Sequence, residues 1–141
     1  MTEGPKNYLA IDLGRSRVGV AVSGPGGVAL PHAVLDGHDR RALIDRLAAL
    51  AQERDAEFVV GLPRELDGRE RRPAKDARAF ARTLERATGR PVQLQDETLT
   101  TAAAQQLARE AGRGPRDPVD DLAAQQILIA FLALQRGPED P

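Results

Sequence analysis

Three acidic residues, far apart in the chain, stand where a carboxylate is costly to place: Asp12, Glu97 and Asp120. Asp12 lies near the end of an apolar segment, Glu97 follows a strand-like segment, and Asp120 begins an apolar helical stripe. A buried carboxylate carries a large desolvation penalty unless it is paired, protonated or bound to a cation. If the fold brings these three together, a hard divalent cation can hold them, which indicates metal-assisted phosphoryl-transfer chemistry.

Two of these acids also have a plainer interpretation. Asp12 could be a simple strand end, but it stands between apolar neighbours, which favours a functional role. Asp120 and Asp121 share a first helical turn, where acids favour the helix dipole. Asp120 lies on the line of Ala124, Ile127, Phe131 and Leu134, so we expect it to face the core. Asp121 lies on the line of Gln125, and we expect it to be more exposed.

The neighbours Asp96 and Glu97 are harder to separate. Strand alternation puts them on opposite faces, but in a sheet that carries helices on both faces either residue could point into a site. The residues alone therefore leave both open.

The remaining pattern supplies the elements that must position these acids. Apolar runs predict strands over 8–13, 17–23, 28–35, 57–62 and 92–96, with Pro31 marking an edge or a bulge. Helices are predicted after an N-cap at Asp39, after a polar loop over 64–73, over 100–111, and after an N-cap at Asp117. This order predicts a mixed sheet with helices on its faces, and sites in such α/β sheets lie near strand ends.

Length and composition fit one globular domain over residues 1–141, with a core over about 8–136 between short tails. The chain has no cysteine, which excludes disulfides and thiolate zinc sites. Its first residues lack a signal-peptide pattern, and its longest apolar run, 127–134, is too short to cross a bilayer. We therefore expect a cytoplasmic protein with no membrane partner.

Charge is unevenly distributed along the chain. The total is -1, but residues 64–90 hold nine basic and five acidic side chains, whereas residues 117–141 hold one basic and five acidic. This pattern suits an enzyme that contacts phosphates in one place and binds metal in another, although on charge alone an ordinary solvated surface is the favoured explanation. Aromatic residues make up only 3%, so any nucleic acid would be held through its backbone and shape rather than by base stacking.

Two other motifs give little information about function. The segment from Gly14 to Gly19 is rich in glycine, but it continues into a strand and so fits neither a P-loop nor a Rossmann turn. His32 and His38 are six residues apart, without metal-ligand spacing, and we expect both at the surface or in turns.

Four blocks, in this order, resemble the YqgF/RuvX family, whose members are similar to Holliday-junction resolvases of the RNase H-like superfamily. The resemblance runs from about Tyr8 to Leu132. The blocks are Ile11-Asp12-Leu13-Gly14 with 17–23, Val60-Gly61-Leu62-Pro63 with Gly68, Asp96-Glu97 with Leu99-Thr100-Thr101, and Asp120 with Ala123-Ala124 and Ile127-Leu128.

The resemblance implies an RNase H-like fold, with a central five-stranded mixed sheet flanked by helices on both faces. It implies that Asp12, Glu97 and Asp120 are catalytic and ligate Mg²⁺ or Mn²⁺. The family is usually assigned as a nuclease that matures the 5′ end of 16S ribosomal RNA precursor, and a Holliday-junction DNA resolvase is the older proposal. Thr98 stands where the family pattern has arginine, so a phosphate or carboxylate contact of the family is missing at this position, and Arg15 or Arg17 could substitute for it.

We accordingly expect a metal-dependent nuclease acting on structured RNA, with branched or single-stranded DNA as the alternative substrate and a monomer or homodimer as the active form. The residues predicted to contact nucleic acid are Arg15, Arg17, Arg64, Arg69, Arg71, Arg72 and Lys75, and the loop over 112–118 is a candidate gate. One competing class is a non-catalytic ribosome-assembly or transcription module with a degenerate site. Another is an ATP-binding protein of the actin and hexokinase type, but that design needs two such domains, and this chain has room for one.

Overall fold

The computed structural model describes residues 6–64, 72–97, 106, 108–114 and 117–136. Its strands are β1 (Asn7–Leu13), β2 (Arg17–Ser23), β3 (Ala29–Asp36), β4 (Ala56–Pro63) and β5 (Val92–Glu97). Its long helices are α1 (Arg40–Arg54), α2 (Arg72–Thr88) and α3 (Asp120–Arg136). Residues 106 and 108–110 are also helical, and the rest of the helix predicted over 100–111 lies outside the described residues.

The five strands form one mixed sheet in the order β3-β2-β1-β4-β5. β1 is antiparallel to β2 and parallel to β4, β2 is antiparallel to β3, and β4 is parallel to β5. The predicted α/β class and five-stranded mixed sheet are therefore confirmed. β3 is an edge strand, and its register shifts opposite Val20 and Ala21, close to Pro31, because proline cannot donate to a regular ladder.

Side-chain alternation along the strands separates two cores. On β1, Leu9 and Ile11 pack with the buried side chains of α1 and α2, whereas Tyr8 and Ala10 pack with those of α3. Helices thus cover both faces of the sheet, as predicted. The face that carries α3 is called the α3 face below, because it also carries the acidic residues of interest.

Two of the predicted helices are confirmed in detail. The Asp39 carboxylate accepts a hydrogen bond from the Ala42 N–H at 3.1 Å and caps α1. On α2, the side chains expected to face inward are all buried: Ala77, Phe80, Ala81 and Leu84. α2 begins at Arg72, inside the predicted loop over 64–73, because Pro73 is tolerated in a first helical turn.

The last helix ends at Arg136, close to the predicted end, but its start and the exposure of its final turn differ from the prediction. It begins at Asp120, and Asp117 is not its N-cap, because the Asp117 carboxylate instead accepts a hydrogen bond from the Gly114 N–H at 2.7 Å. At the other end Leu134 is 69% exposed rather than facing the core, because the buried part of α3 ends near Phe131. No helix among the described residues is long and apolar enough to cross a membrane.

Candidate active site

Two of the three predicted acids come together because the strands that carry them run in the same direction. β1, β4 and β5 are parallel, so their carboxyl ends meet at one edge of the sheet. Asp12 is separated from Tyr8 and Ala10 by an even number of residues, so its side chain points to the same face of the sheet, which α3 covers. On β5, Asp96 pairs in register with Leu62, which packs under α1 and α2, so Glu97 has the opposite orientation and points to the α3 face.

Asp12 and Glu97 are in direct contact through a hydrogen bond between their carboxyl groups. Burial, opposed in part by this bond and reinforced by the charge of Asp120, raises the pKa of Asp12 to about 6. Burial, followed by the charge of Asp12 and the shared hydrogen bond, raises the pKa of Glu97 to about 8. Near neutral pH the pair therefore holds one proton, which the two carboxyl groups share in their hydrogen bond.

The third acid reaches this pair because the N-terminus of α3 lies directly on β2. Gly19 is the register partner of Asp12 on β2. A methyl group at Gly19 would overlap the Asp120 carbonyl oxygen and lie 2.9 Å from the Asp121 nitrogen. Only a residue without a side chain lets the helix approach this closely, so Gly19 sets the position of Asp120.

A second glycine makes room on the other side of the pair. A methyl group at Gly61 of β4 would overlap the Ile127 side chain of α3 and lie 3.1 Å from Glu97 Oε2. Gly61 therefore lets both α3 and the Glu97 carboxyl lie close to the sheet. Further along the helix, Tyr8 meets Phe131 edge to face with ring centroids 4.9 Å apart, and the Gln125 side-chain amide donates to the Ala29 carbonyl at 3.0 Å.

The Asp120 carboxylate lies beside the guanidinium of Arg17 but still has an oxygen that accepts no hydrogen bond. Arg17 Nε lies 3.1 Å from Asp120 Oδ2, yet that oxygen is shielded from solvent and accepts no hydrogen bond in the described structure. The Arg17 side chain is 59% exposed, whereas that of Asp120 is 20% exposed. A buried carboxylate oxygen without a donor is costly, and an added cation would remove that cost.

The chemistry of these donors fits a hard divalent cation. Asp12, Glu97 and Asp120 offer only carboxylate oxygens, the donors that Mg²⁺ and Mn²⁺ prefer. Within the described parts of the chain, no three His, Cys, Asp or Glu side chains already surround a common point as metal ligands do. Binding of one ion by all three acids therefore requires Asp120 to turn from Arg17 and the Asp12–Glu97 pair to give up its proton.

The acids next to the trio have separate partners. Asp96 is exposed and pairs with Arg64, whose Nε lies 2.7 Å from its carboxylate. Asp121 was expected to be exposed, and this was wrong: the residue is only 9% exposed. Arg113 grips both of its oxygens and also donates to the Pro118 carbonyl at 2.7 Å, and this pairing lowers the pKa of the Asp121 carboxyl.

The described residues among those predicted to bind nucleic acid lie at several places around this edge of the sheet. Arg15 and Arg17 are exposed at the turn between β1 and β2, and Arg72 and Lys75 are exposed on the first turn of α2. Arg64 follows β4 and is paired with Asp96, as described above. Arg69, Arg71 and Thr98 lie outside the described residues. His32 and His38 are exposed, as expected, and His38 pairs with Asp36 at 2.6 Å.

The sequence gives no structural role to three residues important to this geometry, Gly19, Gly61 and Arg113, although both glycines stand in the blocks that resemble the family. Each glycine interrupts an apolar strand, a pattern that indicates a bulge or a close approach of another backbone. Arg113 gave no such signal, because an arginine in a polar loop has no visible partner until the fold is known.

A five-stranded sheet in this order, covered on both faces and carrying acids at the ends of β1 and β5, is the RNase H-like class of α/β fold. In agreement, the chain superimposes on Thermus thermophilus RuvC, solved "in complex with Holliday junction substrate", with a TM-score of 0.62 over 96% of this chain and 99% of that one. Only 14% of the residues are identical, so the likeness concerns the fold.

Family assignment comes from sequence comparison. The family model described as "RuvX: Holliday junction resolvase" matches residues 6–134. A protein of Frankia casuarinae is 45% identical over 94% of this chain and 69% of its own length, and one of Chromohalobacter salexigens is 41% identical over 96% and 97%. Both relatives carry the name "Putative pre-16S rRNA nuclease". The chain belongs to the RuvX family.

Proposed function

We propose that this chain is a cytoplasmic, divalent-metal-dependent nuclease that hydrolyses phosphodiester bonds during 5′-end processing of the 16S ribosomal RNA precursor. The observation that carries the proposal is the convergence of Asp12, Glu97 and Asp120 on the α3 face, at the edge where β1, β4 and β5 end. Membership of a nuclease family and the names of its relatives support the reaction and the substrate.

In this proposal Asp12, Glu97 and Asp120 hold Mg²⁺ or Mn²⁺. A cation bound there would supply activation of the attacking water and stabilisation of the leaving oxygen of the phosphodiester. Asp12 is the central acid, because it is hydrogen-bonded to Glu97 and interacts electrostatically with Asp120. Gly19 and Gly61 keep the three acids close by admitting the α3 backbone and side chains.

Arg17 acts at the boundary between site and substrate. Its guanidinium lies beside Asp120 while most of its side chain is in solvent, so it can turn to a substrate phosphate when Asp120 turns to a cation. Arginine is suited to this role because its planar fork matches phosphate oxygens. Arg15, Arg64, Arg72 and Lys75 border the same edge and would add further backbone contacts.

Resolution of four-way DNA junctions is the second candidate. It is favoured by the description of the family model, which names a Holliday junction resolvase. Symmetric cutting of a junction needs two active sites, and therefore a homodimer, whereas trimming of a precursor RNA can be done by a monomer.

The test is Mn²⁺-dependent cleavage of a 16S rRNA precursor fragment and of a four-way DNA junction by purified protein, with Asp12→Asn alongside. Cleavage of the RNA near the mature 5′ end by wild type alone is the expected result. Paired symmetric cuts in the junction, without RNA cleavage, would instead support the resolvase. If neither substrate is cut by folded protein, the nuclease proposal fails and a non-catalytic binding module is favoured.

A further inference from the structure

Helix α2 carries a stripe of basic side chains that runs away from the acidic site. Its members are Arg72, Lys75, Arg78, Arg82 and Arg86, called the basic stripe below. At 100° per residue these five lie within an arc of about 120° on the helix. The buried residues of α2 lie on the opposite side, and its two acids, Asp76 and Glu85, flank the stripe without interrupting it.

The stripe begins at the end of the sheet where the acidic site lies. α2 follows the carboxyl end of β4, and that end is shared with β1 and β5. The helix then runs back, since Pro91, just beyond it, accepts a hydrogen bond from the Phe58 N–H at the start of β4. From Arg72 to Arg86 the stripe covers about 21 Å at a rise of 1.5 Å per residue.

Fold stability does not explain this arrangement, and internal pairing does not explain its two members farthest from the acidic site, Arg82 and Arg86. Like charges three or four residues apart on a helix are destabilising by roughly 0.2–0.5 kcal/mol per pair. The stripe contains four such pairs of neighbouring basic residues. Arg72, Lys75, Arg82 and Arg86 are exposed, and within the described part of the chain Arg82 and Arg86 have no ion-pair partner. An ordinary solvated helix face mixes both signs, so a stripe of one sign indicates an anionic partner.

The rest of the surface makes the stripe more distinct. The whole chain has a net charge of -1, whereas α2 alone has five basic and two acidic residues. Aromatic side chains suited to base stacking are scarce in the sequence. The partner chemistry that matches a row of guanidinium and ammonium groups, four of the five exposed, is therefore a sugar–phosphate backbone, recognised without regard to base sequence.

We propose that the basic stripe of α2, which lies on the opposite side of the sheet from the α3 face, binds the nucleic-acid backbone after it passes from the cleavage point over the end of β4. This proposal rests on the proposed nuclease function for the position of the cleavage point, but the binding itself can be measured separately. Arg82 and Arg86 test this proposal best, because they lie farthest along α2 from the acidic site and make no contact with Asp12, Glu97 or Asp120 in the described structure.

The experiment measures RNA affinity against salt concentration in the absence of divalent metal, using a short RNA duplex and a single strand as probes. The test variant is Arg82→Gln/Arg86→Gln. The matched control is Arg41→Gln/Arg109→Gln, which removes the same charge from two exposed arginines off the stripe. Circular dichroism melting of all three proteins confirms that they are folded.

Each phosphate contact contributes about 0.7–0.9 to the slope of log affinity against log salt. We therefore expect the slope of the test variant to be shallower by about 1.5 than that of wild type, and the control slope to be unchanged. Equal slopes for the test and control variants would overturn the proposal, whether or not wild type cuts RNA. If the test variant has a shallower slope and wild type cuts no RNA, the proposal that the stripe binds the nucleic-acid backbone stands and the proposed nuclease function is rejected.

Discussion

The contact between Asp12 and Glu97 predicts an unusual dependence of stability on pH in metal-free protein. The pKa of Glu97 rises from 4.5 to about 8 on folding, mainly through burial. Between these values the native state keeps a proton that the unfolded state has lost, so the free energy of unfolding falls as the pH rises through this window. The loss is complete only above the folded pKa.

Glu97→Gln should remove most of this loss. Glutamine resembles the protonated acid and can still donate a hydrogen bond to the Asp12 carboxylate. At 1.36 kcal/mol per pKa unit, a rise from 4.5 to about 8 corresponds to about 5 kcal/mol. Solvent reaches the half-buried carboxyl and screens part of this effect, so we expect the variant to be about 2–3 kcal/mol more stable than wild type at high pH.

The assay is urea unfolding of both proteins from about pH 5 to about pH 9 with a chelator present, and Asp96→Asn is the matched control because Asp96 is exposed. The wild-type and Glu97→Gln curves should nearly meet at the acid end and separate with rising pH. Parallel curves, or a variant less stable than wild type at high pH, would refute the inference that burial beside Asp12 keeps Glu97 protonated.

Three further predictions follow from the geometry. Gly19→Ala should destabilise the protein by about 1–3 kcal/mol and abolish cleavage, because the new methyl group overlaps the backbone of α3. Gly26→Ala, whose methyl group meets open space, should change neither stability nor cleavage. Equal melting temperatures of these two variants would contradict the close approach of α3 to Gly19. Arg113→Met should lower the free energy of unfolding in urea by about 2–4 kcal/mol, because it leaves Asp121 buried without its cation. The control Arg109→Met should lower it by under about 0.5 kcal/mol. Similar losses in the two variants would show that the pairing of Arg113 with Asp121 is dispensable. Asp96→Asn should retain RNA cleavage within about threefold, since an exposed ion pair contributes about 0–1 kcal/mol, and complete loss of cleavage in folded protein would place Asp96 in the site.

Much of the fold could be predicted because local patterns and tertiary packing agree in this chain. The Asp39 cap and the inward face of α2 follow from spacing alone, and both are confirmed. The choice between Asp96 and Glu97 could not be made from the residues, because it depends on the register of β5 against β4. Only the resemblance to a family favoured Glu97, and the structure places Glu97 against Asp12.

The errors have a common physical cause. Asp121 was judged by the line of its own helix, but its burial is decided by Arg113 from the preceding loop. Asp117 looked like a cap, but its carboxylate is used within that loop. Helical periodicity describes neighbours on one helix and carries no information on a partner that a loop brings to it.

The most direct test of the account is the rate at which purified Asp12→Asn cuts the ribosomal RNA precursor fragment at saturating Mn²⁺, compared with wild type. The substitution keeps the size of the side chain and removes the charge at the centre of the trio. We expect a loss of about 10³-fold in rate, with the fold retained by circular dichroism. A variant that cuts at the wild-type rate, after contaminating nucleases have been excluded, would contradict the claim that these three carboxylates form the active site.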